Sequence, residues 1–288
     1  MKKLLILLPC YNDWNNLNIL IPKINKVLKG LLIDYKIIII NDASKIKLKL
    51  NFSNFKIGNN YILNIKKNVG SQIAIFTALS YLSKNNILGD IIILDSDGED
   101  NPNFIKKLLL FANENKGSII KINRIFRSDH LIFKIFYELY LILTFIITLK
   151  YIRFGNFSFI PKKYIKIIPK YKRDFCYAYS SAILKNFTNI KTLFTNRDKR
   201  YLGRSKMSLV NLFFHALRVI TVFRYRVFLI FILYLFIIYY FYSLTFYFFI
   251  FLLITLFVFS SIIFTMLKIN FLSNKNSYLN ISNFKKLY

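Results

Sequence analysis

Acidic residues are scarce in this chain. Its 288 residues hold 13 Asp and Glu against 42 Lys and Arg, a formal charge of +29. Cysteine is scarcer, with Cys10 and Cys176 alone. That excludes a disulfide framework and a cysteine metal cage. No Gly-x-Gly-x-x-Gly and no Walker-type loop occurs, so neither a dinucleotide fold nor a P-loop enzyme is supported. No block of five Lys or Arg occurs either. The basic residues are scattered through a chain rich in Lys, Ile, Asn, Phe and Tyr, a skew that biased codon usage also produces. No nucleic-acid partner is expected. Met1-Lys2-Lys3 before Leu4–Leu8 mimics a signal peptide, but Pro9-Cys10-Tyr11-Asn12-Asp13 breaks the run without a small-residue cleavage site. A first buried strand is expected there instead.

Where carboxylates do occur, they cluster. Ile91-Ile92-Ile93-Leu94 runs straight into Asp95-Ser96-Asp97-Gly98-Glu99-Asp100. The apolar run reads as a buried strand, which puts the carboxylates at its C-terminal edge. Ligands bind at that edge of an open α/β sheet. Asp95 and Asp97 suit a hard divalent cation, Mg²⁺ or Mn²⁺, that also holds phosphate oxygens. A helix-initiating loop is the competing reading, since Asp, Asn and Pro102 also begin helices well.

The preceding strands weigh on that choice. Leu4–Leu8, Tyr35–Ile40 and Tyr61–Ile65 read as strands, alternating with helical patterns over about Asn15 to Leu28 and Ser71 to Leu82. This alternation predicts an α/β fold with a parallel, doubly wound sheet. Three of the strands end in loops rich in Asn, Asp, Ser or Gly: Tyr11-Asn12-Asp13, Asn41-Asp42-Ala43-Ser44 and Asn68-Val69-Gly70-Ser71. A carboxylate at such an end can accept from a base N–H, and an aromatic ring can stack on the base. Capping of the next helix is the alternative, with Ser71 as one such cap. Further on, a helix is expected to about Asn115, a strand over Ser118–Ile122, an apolar helix from Leu131 to Leu149 and a strand over Gly155–Ile160.

The end of the chain is apolar. Ser208–Phe223 has the pattern of a surface-lying amphipathic helix. Val227–Tyr242 and Phe246–Leu267 carry no charge and are long enough for two membrane spans. Arg218, Arg224 and Arg226 precede them, and Lys268, Lys275, Lys285 and Lys286 follow. The positive-inside rule puts both flanks in the cytoplasm. The expected division is a catalytic domain over 1–207, a juxtamembrane helix over 208–225, two spans over 226–268 and a basic tail over 269–288.

Taken together, these segments resemble a family 2 glycosyltransferase of the GT-A fold. Leu8-Pro9-Cys10-Tyr11-Asn12-Asp13 resembles the family's "P-x-Y-N-E" turn, and Ile40–Ser44 its "D-D-G-S". Asn68-Val69-Gly70 with Ala74 and Ala78 resembles "N-x-G...A". Asp95–Pro102 resembles the "D-x-D-x-Q-x-P-P" segment of the dolichol-phosphate-mannose-synthase-like branch, and Arg197–Met207 its "R-x-x-G-x-S-K" element. Asn41, Ala43, Glu99 and Asn101 depart from these patterns, and Arg153 precedes the Gly155 strand where that branch commonly has an acidic residue.

The resemblance implies a donor site of Pro9, Tyr11, Asn12, Asp42, Asn68, Gly70, Asp95 and Asp97, with the metal on Asp97 and Asp95. It implies diphosphate or acceptor contacts from Arg124, Arg127, Arg197, Arg200, Ser205 and Lys206. Asp174 lies near where other members carry an acidic base, with Asp100 and Asp129 as lesser candidates. A sugar hydroxyl acceptor needs such a base, whereas a lipid phosphate does not. The expected protein is an inverting transferase anchored in a bacterial inner membrane, with its catalytic domain cytoplasmic. It moves a sugar from a nucleotide diphosphate to polyprenyl phosphate for the cell envelope. A sugar hydroxyl on a lipid-linked glycan is the rival acceptor, and a non-catalytic membrane scaffold the rival role. A homo-oligomer is compatible with the sequence.

Overall fold

A computed structural model describes residues 3–31, 33–51, 60–124, 131–150, 152–203, 209–242, 246–274 and 281–287. Its centre is an eight-stranded mixed sheet. Strands β1 (Lys3–Cys10), β2 (Asp34–Asn41), β3 (Asn60–Ile65) and β4 (Asp90–Ile93) are parallel, in the order β4-β1-β2-β3. Antiparallel β6 (Phe154–Ile160) follows β4 and pairs in turn with β5 (Ile119–Arg124), which carries β7 (Ile190–Thr195) at that edge. The other edge is β8 (Ile281–Leu287), antiparallel to β3.

Continuous apolar runs make these strands because both faces of the sheet are covered. Successive side chains alternate between two cores. Leu5 and Leu7 of β1, Ile38 and Ile40 of β2, and Ile91 and Ile93 of β4 enter one core. Leu4, Ile6 and Leu8, Ile37 and Ile39, and Ile92 and Leu94 enter the other. The first core is covered by α2 (Ser71–Lys84), α5 (Lys172–Tyr177) and α6 (Tyr179–Asn186). The second is covered by α1 (Trp14–Lys29) and α3 (Phe104–Glu114). Leu17, Leu20, Ile21, Ile24 and Leu28 form the helical stripe of α1 that does this. Cys10 and Cys176 are both buried, one in each core.

Pro9 sits in a central strand, where a missing N–H normally costs a ladder bond. The Leu7 carbonyl points to β4, accepting from Leu94 N–H, and the Cys10 carbonyl points to β2, accepting from Asp42 N–H. By alternation Pro9 faces the β4 side, and β4 ends at Ile93, opposite Leu7. Its imino nitrogen therefore has no ladder partner to lose. Pro9 is buried in the strand end. Pro9, expected in the donor site, is the penultimate residue of β1.

Four helices follow or flank the sheet at one side: α4 (Leu131–Thr148), α7 (Leu209–Val222), α8 (Arg224–Tyr242) and α9 (Phe246–Asn274). Leu217, Ile220, Val227 and Ile262 pack α7, α8 and α9 together, and Ile269 at the lower end of α9 enters the first core. The segment expected as a basic tail is the end of α9 followed by β8. Tyr61 of β3 stacks on Phe284 of β8 at 5.3 Å. Asn41, Asn64 and Asn283 form an amide ladder across β2, β3 and β8, at 2.7 and 2.5 Å.

Candidate active site

The C-terminal ends of β1, β2, β3 and β4 meet at one edge of the sheet, and the strand order turns at β1, between β4 and β2. This topological switch point opens a crevice for ligand. The loops around it are tied by their own polar groups. Both carboxylate oxygens of Asp42 accept backbone N–H groups, from Val69 and Gly70, at 2.8 Å each. Asn68 donates to the Asp42 carbonyl at 3.2 Å. Burial, against the pull of those two N–H groups, raises the Asp42 pKa. Asp42 was expected on the donor, but here it is buried and clamps the β2 loop to the start of α2. Asn12 works the same way between β1 and β2. Its N–H donates to Ser44 Oγ at 2.9 Å, and its Oδ1 accepts Ile46 N–H at 3.0 Å. Tyr11 is half-buried at the mouth of β1.

The turn after β2 adopts a positive φ of 52° at Ala43, where the family pattern has Gly. Asn41, in place of the pattern's Asp, donates to Asn64 and accepts Ser44 N–H at 3.0 Å. An amide does both, whereas a carboxylate only accepts.

None of the strand-end carboxylates caps a helix. Asp13 precedes α1, Gly70 precedes α2 and Asn103 precedes α3, and none makes a side-chain cap bond. Ser71 is the first residue of α2, not its cap. The acidic loop after β4 is built around ion pairs. Asp100, 1% exposed, accepts Arg124 at 2.7 Å and Asp95 N–H at 3.0 Å. Arg124 also reaches Asp95 at 3.3 Å, and Asn156 of β6 donates to the other Asp95 oxygen at 2.8 Å. Burial disfavours the Arg124 charge, but Asp100 and Asp95 outweigh it and raise its pKa. Asp100, expected as a possible base, is thus the buried counter-ion that fixes Arg124. Both of its oxygens are taken by these partners.

The basic segment 197–203 folds over this loop. Asp198 N–H donates to the Glu99 carbonyl and Tyr201 N–H to the Asp97 carbonyl, both at 3.0 Å. Arg197 pairs with Glu99, which explains a carboxylate where the family pattern has Gln. Arg200 bridges Asp97 at 3.2 Å and Asp13 at 2.5 Å. Gly98 has φ +87°, and a Cβ there would lie 2.4 Å from the Tyr201 ring. Buried Asn16 holds the far end, accepting Leu202 N–H at 3.0 Å.

Among the described residues, five carboxylates (Asp13, Asp95, Asp97, Glu99 and Asp100) thus face three guanidiniums (Arg124, Arg197 and Arg200) in these ion pairs, two more negative groups than positive ones. Burial, with the Asp95 and Glu99 charges, pushes the Asp97 carboxyl up to about 7. Among the described residues no three carboxylate, imidazole or thiolate groups converge as a closed metal cage. A deficit of two positive charges beside two partly exposed Asp fits an open divalent site, with its remaining ligands taken from a phosphate-bearing ligand.

Asp13, Asn16 and Asn156 were missed as site residues by sequence reasoning. Asn156 had a signal, being a lone amide within an apolar strand. Arg127, Asp129, Ser205 and Lys206 lie outside the described residues. Asp174, the favoured base, is buried and held by Lys185 at 2.9 Å, Arg224 at 3.0 Å and Asn186 at 3.1 Å. It ties α5, α6 and α8 together, and a carboxylate so held is corrected from base to clamp.

The chain is similar to known proteins. An uncharacterized glycosyltransferase of Synechocystis sp. is 33% identical over 109 residues, 37% of this chain and 33% of the relative. The match thus spans about a third of that relative's length. Glucosyl-3-phosphoglycerate synthase from Mycobacterium tuberculosis, in complex with phosphoglyceric acid, superposes with a TM-score of 0.53 at 13% identity, over 78% of this chain and 80% of that one. The same enzyme with Mn²⁺ and UDP-glucose gives 0.50, over 78% and 79%. At that identity the likeness shows the GT-A fold alone. The glycosyl transferase family 2 model matches residues 5–188, well over half of the chain. With that match, the chain belongs to glycosyltransferase family 2 and is a glycosyltransferase enzyme.

Proposed function

We propose that this enzyme is anchored in a membrane by α8 and α9. It transfers a sugar from a nucleoside-diphosphate donor, held at the acidic loop, to a polyprenyl phosphate at the cytoplasmic surface. The return of the chain to the sheet carries this reading. Among the described side chains of the Arg224–Phe241 stretch only Val227 is buried, and 11% of the Tyr247–Leu267 stretch is, whereas a soluble core helix would be mostly buried. At 1.5 Å per residue they reach about 27 and about 31 Å, against a hydrocarbon core of about 30 Å. α8 starts at the catalytic domain through Arg224 and Asp174, and β8 after α9 pairs with β3 of the same sheet. Both ends therefore lie on one side, as two crossings require. α4 adds a face of exposed Leu139, Ile142 and Ile146, at helical spacing, suited to the membrane surface.

On the donor side, Asp97 and Asp95 would hold Mg²⁺ or Mn²⁺, and Tyr11 would stack on the base. The bound cation neutralises charge that develops on the departing diphosphate. Arg200, poised between Asp13 and Asp97, is assigned to the diphosphate, with Arg197 behind it. Asp42, Asn12, Asn68 and Gly70 hold the loops in place. On the acceptor side, the clamped state of Asp174 and Asp100 supports an acceptor that needs no base. A lipid phosphate oxygen is already deprotonated and attacks the anomeric carbon from the face opposite the leaving diphosphate.

Two measurements test this. Asp97→Asn is expected to weaken Mn²⁺-dependent nucleoside-diphosphate binding at least tenfold, since a hydrogen bond to a charged group contributes about 1.5–3 kcal/mol. Unaltered binding removes Asp97 from the site. Incubation of membranes with labelled donor, then solvent extraction, should yield an acid-labile lipid-phosphate sugar. An acid-stable labelled glycolipid would point instead to a sugar hydroxyl.

A further inference from the structure

A cavity of about 620 Å³ opens between β5, β7, α6 and the junction of α7 with α8. Four cations line it: Lys121 of β5, Lys150 just after α4, Lys185 of α6 and Arg226 of α8. Phe223 and Tyr225 contribute aromatic surface, and among the described residues no Asp or Glu lines it. No residue of the acidic loop or of 197–203 lines it, so it is separate from the donor site.

Two of the cations are fixed in place. Lys185 Nζ donates to Asp174 at 2.9 Å and to the Val222 carbonyl at 2.8 Å. Arg226 Nη1 donates to the Thr148 carbonyl at 2.6 Å. Asp174 also serves Arg224, so this one carboxylate does not neutralise the cluster. Burial, joined by the Lys150 charge, lowers the Lys121 pKa. Such a group of positive charges, partly withdrawn from water, is stabilised by an anion with several acceptor oxygens.

The place of the cavity says which anion. Arg226 and Tyr225 stand at the first turn of α8, where the charged domain gives way to the apolar stretch. Tyr225, Phe228 and Leu229 continue from there as exposed apolar surface. This is the headgroup level of a span, where basic side chains meet lipid phosphates. We infer that the cavity binds the phosphate group of an anionic membrane lipid, with the acyl chains lying along α8. The lipid is a bound companion of the enzyme, not its acceptor. The inference rests on the reading of α8 and α9 as spans.

The test uses the full chain in neutral detergent, with lipid binding followed by native mass spectrometry. Dioleoyl phosphatidylglycerol should be retained at least tenfold over dioleoyl phosphatidylcholine. Lys150→Gln, at an exposed position where folding is not at risk, should reduce that preference severalfold, and Lys121→Gln with Lys150→Gln should abolish it. Mn²⁺-dependent nucleoside-diphosphate binding should persist in both, showing an intact domain. Equal retention of the two lipids by the unmodified chain, or an undiminished preference in the double variant, overturns the inference. Inorganic phosphate that displaces the lipid at submillimolar concentration would assign the cavity to a soluble anion and overturn it too. Alkaline carbonate separates this from the span reading. A chain washed off membranes refutes the spans and the lipid site with them. A chain that stays but lacks the preference refutes the lipid site alone.

Discussion

Replacing Arg124 by Met removes the guanidinium between Asp100 and Asp95 while keeping most of the side-chain volume. Asp100 is then left 1% exposed with one backbone N–H as its remaining partner among the bonds described above. Removing one member of a buried ion pair costs about 3–5 kcal/mol, because the other charge is stranded. For a domain of this size each kcal/mol moves Tm by about 2–4 °C, so the expected loss is about 6–20 °C. Arg153→Met provides the control. Its pair with Glu138 lies 3.3 Å apart, like the Arg124–Asp95 contact, but the side chains are 46% and 59% exposed. Such a pair contributes about 0–1 kcal/mol, a shift of at most about 4 °C. Trp14, the single tryptophan, is buried beside the site and reports unfolding by its fluorescence in detergent. Adding Asp100→Asn to Arg124→Met removes the stranded charge and keeps an acceptor for Asp95 N–H, so part of the loss should return. The reasoning is refuted if Arg124→Met melts within the range of Arg153→Met, or if the double variant is no more stable than the single one.

Two other substitutions follow from backbone geometry. Ala43→Gly should raise Tm by a few degrees, since relief of the left-handed strain (about 1–2 kcal/mol) exceeds the added freedom of the unfolded chain (about 0.4–1 kcal/mol). An unchanged or lower Tm would mean that the turn relaxes at no cost. Gly98→Ala should push Tyr201 and segment 197–203 off the acidic loop, speeding tryptic cleavage at Arg197 to Arg200 and weakening nucleotide binding together. Cleavage at the unmodified rate would refute that coupling.

Much of the fold was legible because its signals are local. Uninterrupted isoleucine runs such as Ile37–Ile40 and Ile91–Ile93 have one buried solution, and the bounds of the observed strands lie within a residue or two of the expected ones. The acidic loop was legible as a site because carboxylates are rare here and these stand at a strand end. The partners within it were not. Nothing local says that Arg200 will bridge Asp13 to Asp97, or that Glu99 and Arg197 will pair across 98 residues. Asp100 and Asp174 look like any acidic residue until burial reveals the cations around them. β8 was hidden for a different reason. Lys285 and Lys286 read as a tail, yet lysine is what an edge strand tolerates, and its apolar contacts Tyr61 and Tyr81 come from the other end of the sequence.

That last strand bears on how the enzyme is made. The contact between Asn64 and Asn283 spans 219 residues, so β3 stays an open edge until that much more chain has been made. An unpaired edge invites association with other chains. Under the hairpin reading, the segment that covers it follows α9 and can arrive only from the side where the first residues fold. Insertion of the two helices in the correct sense then becomes a step in completing the catalytic sheet. A chain inserted the wrong way round would carry β8 to the far side of the bilayer, leaving a nascent domain with a sticky flank as its own quality-control signal.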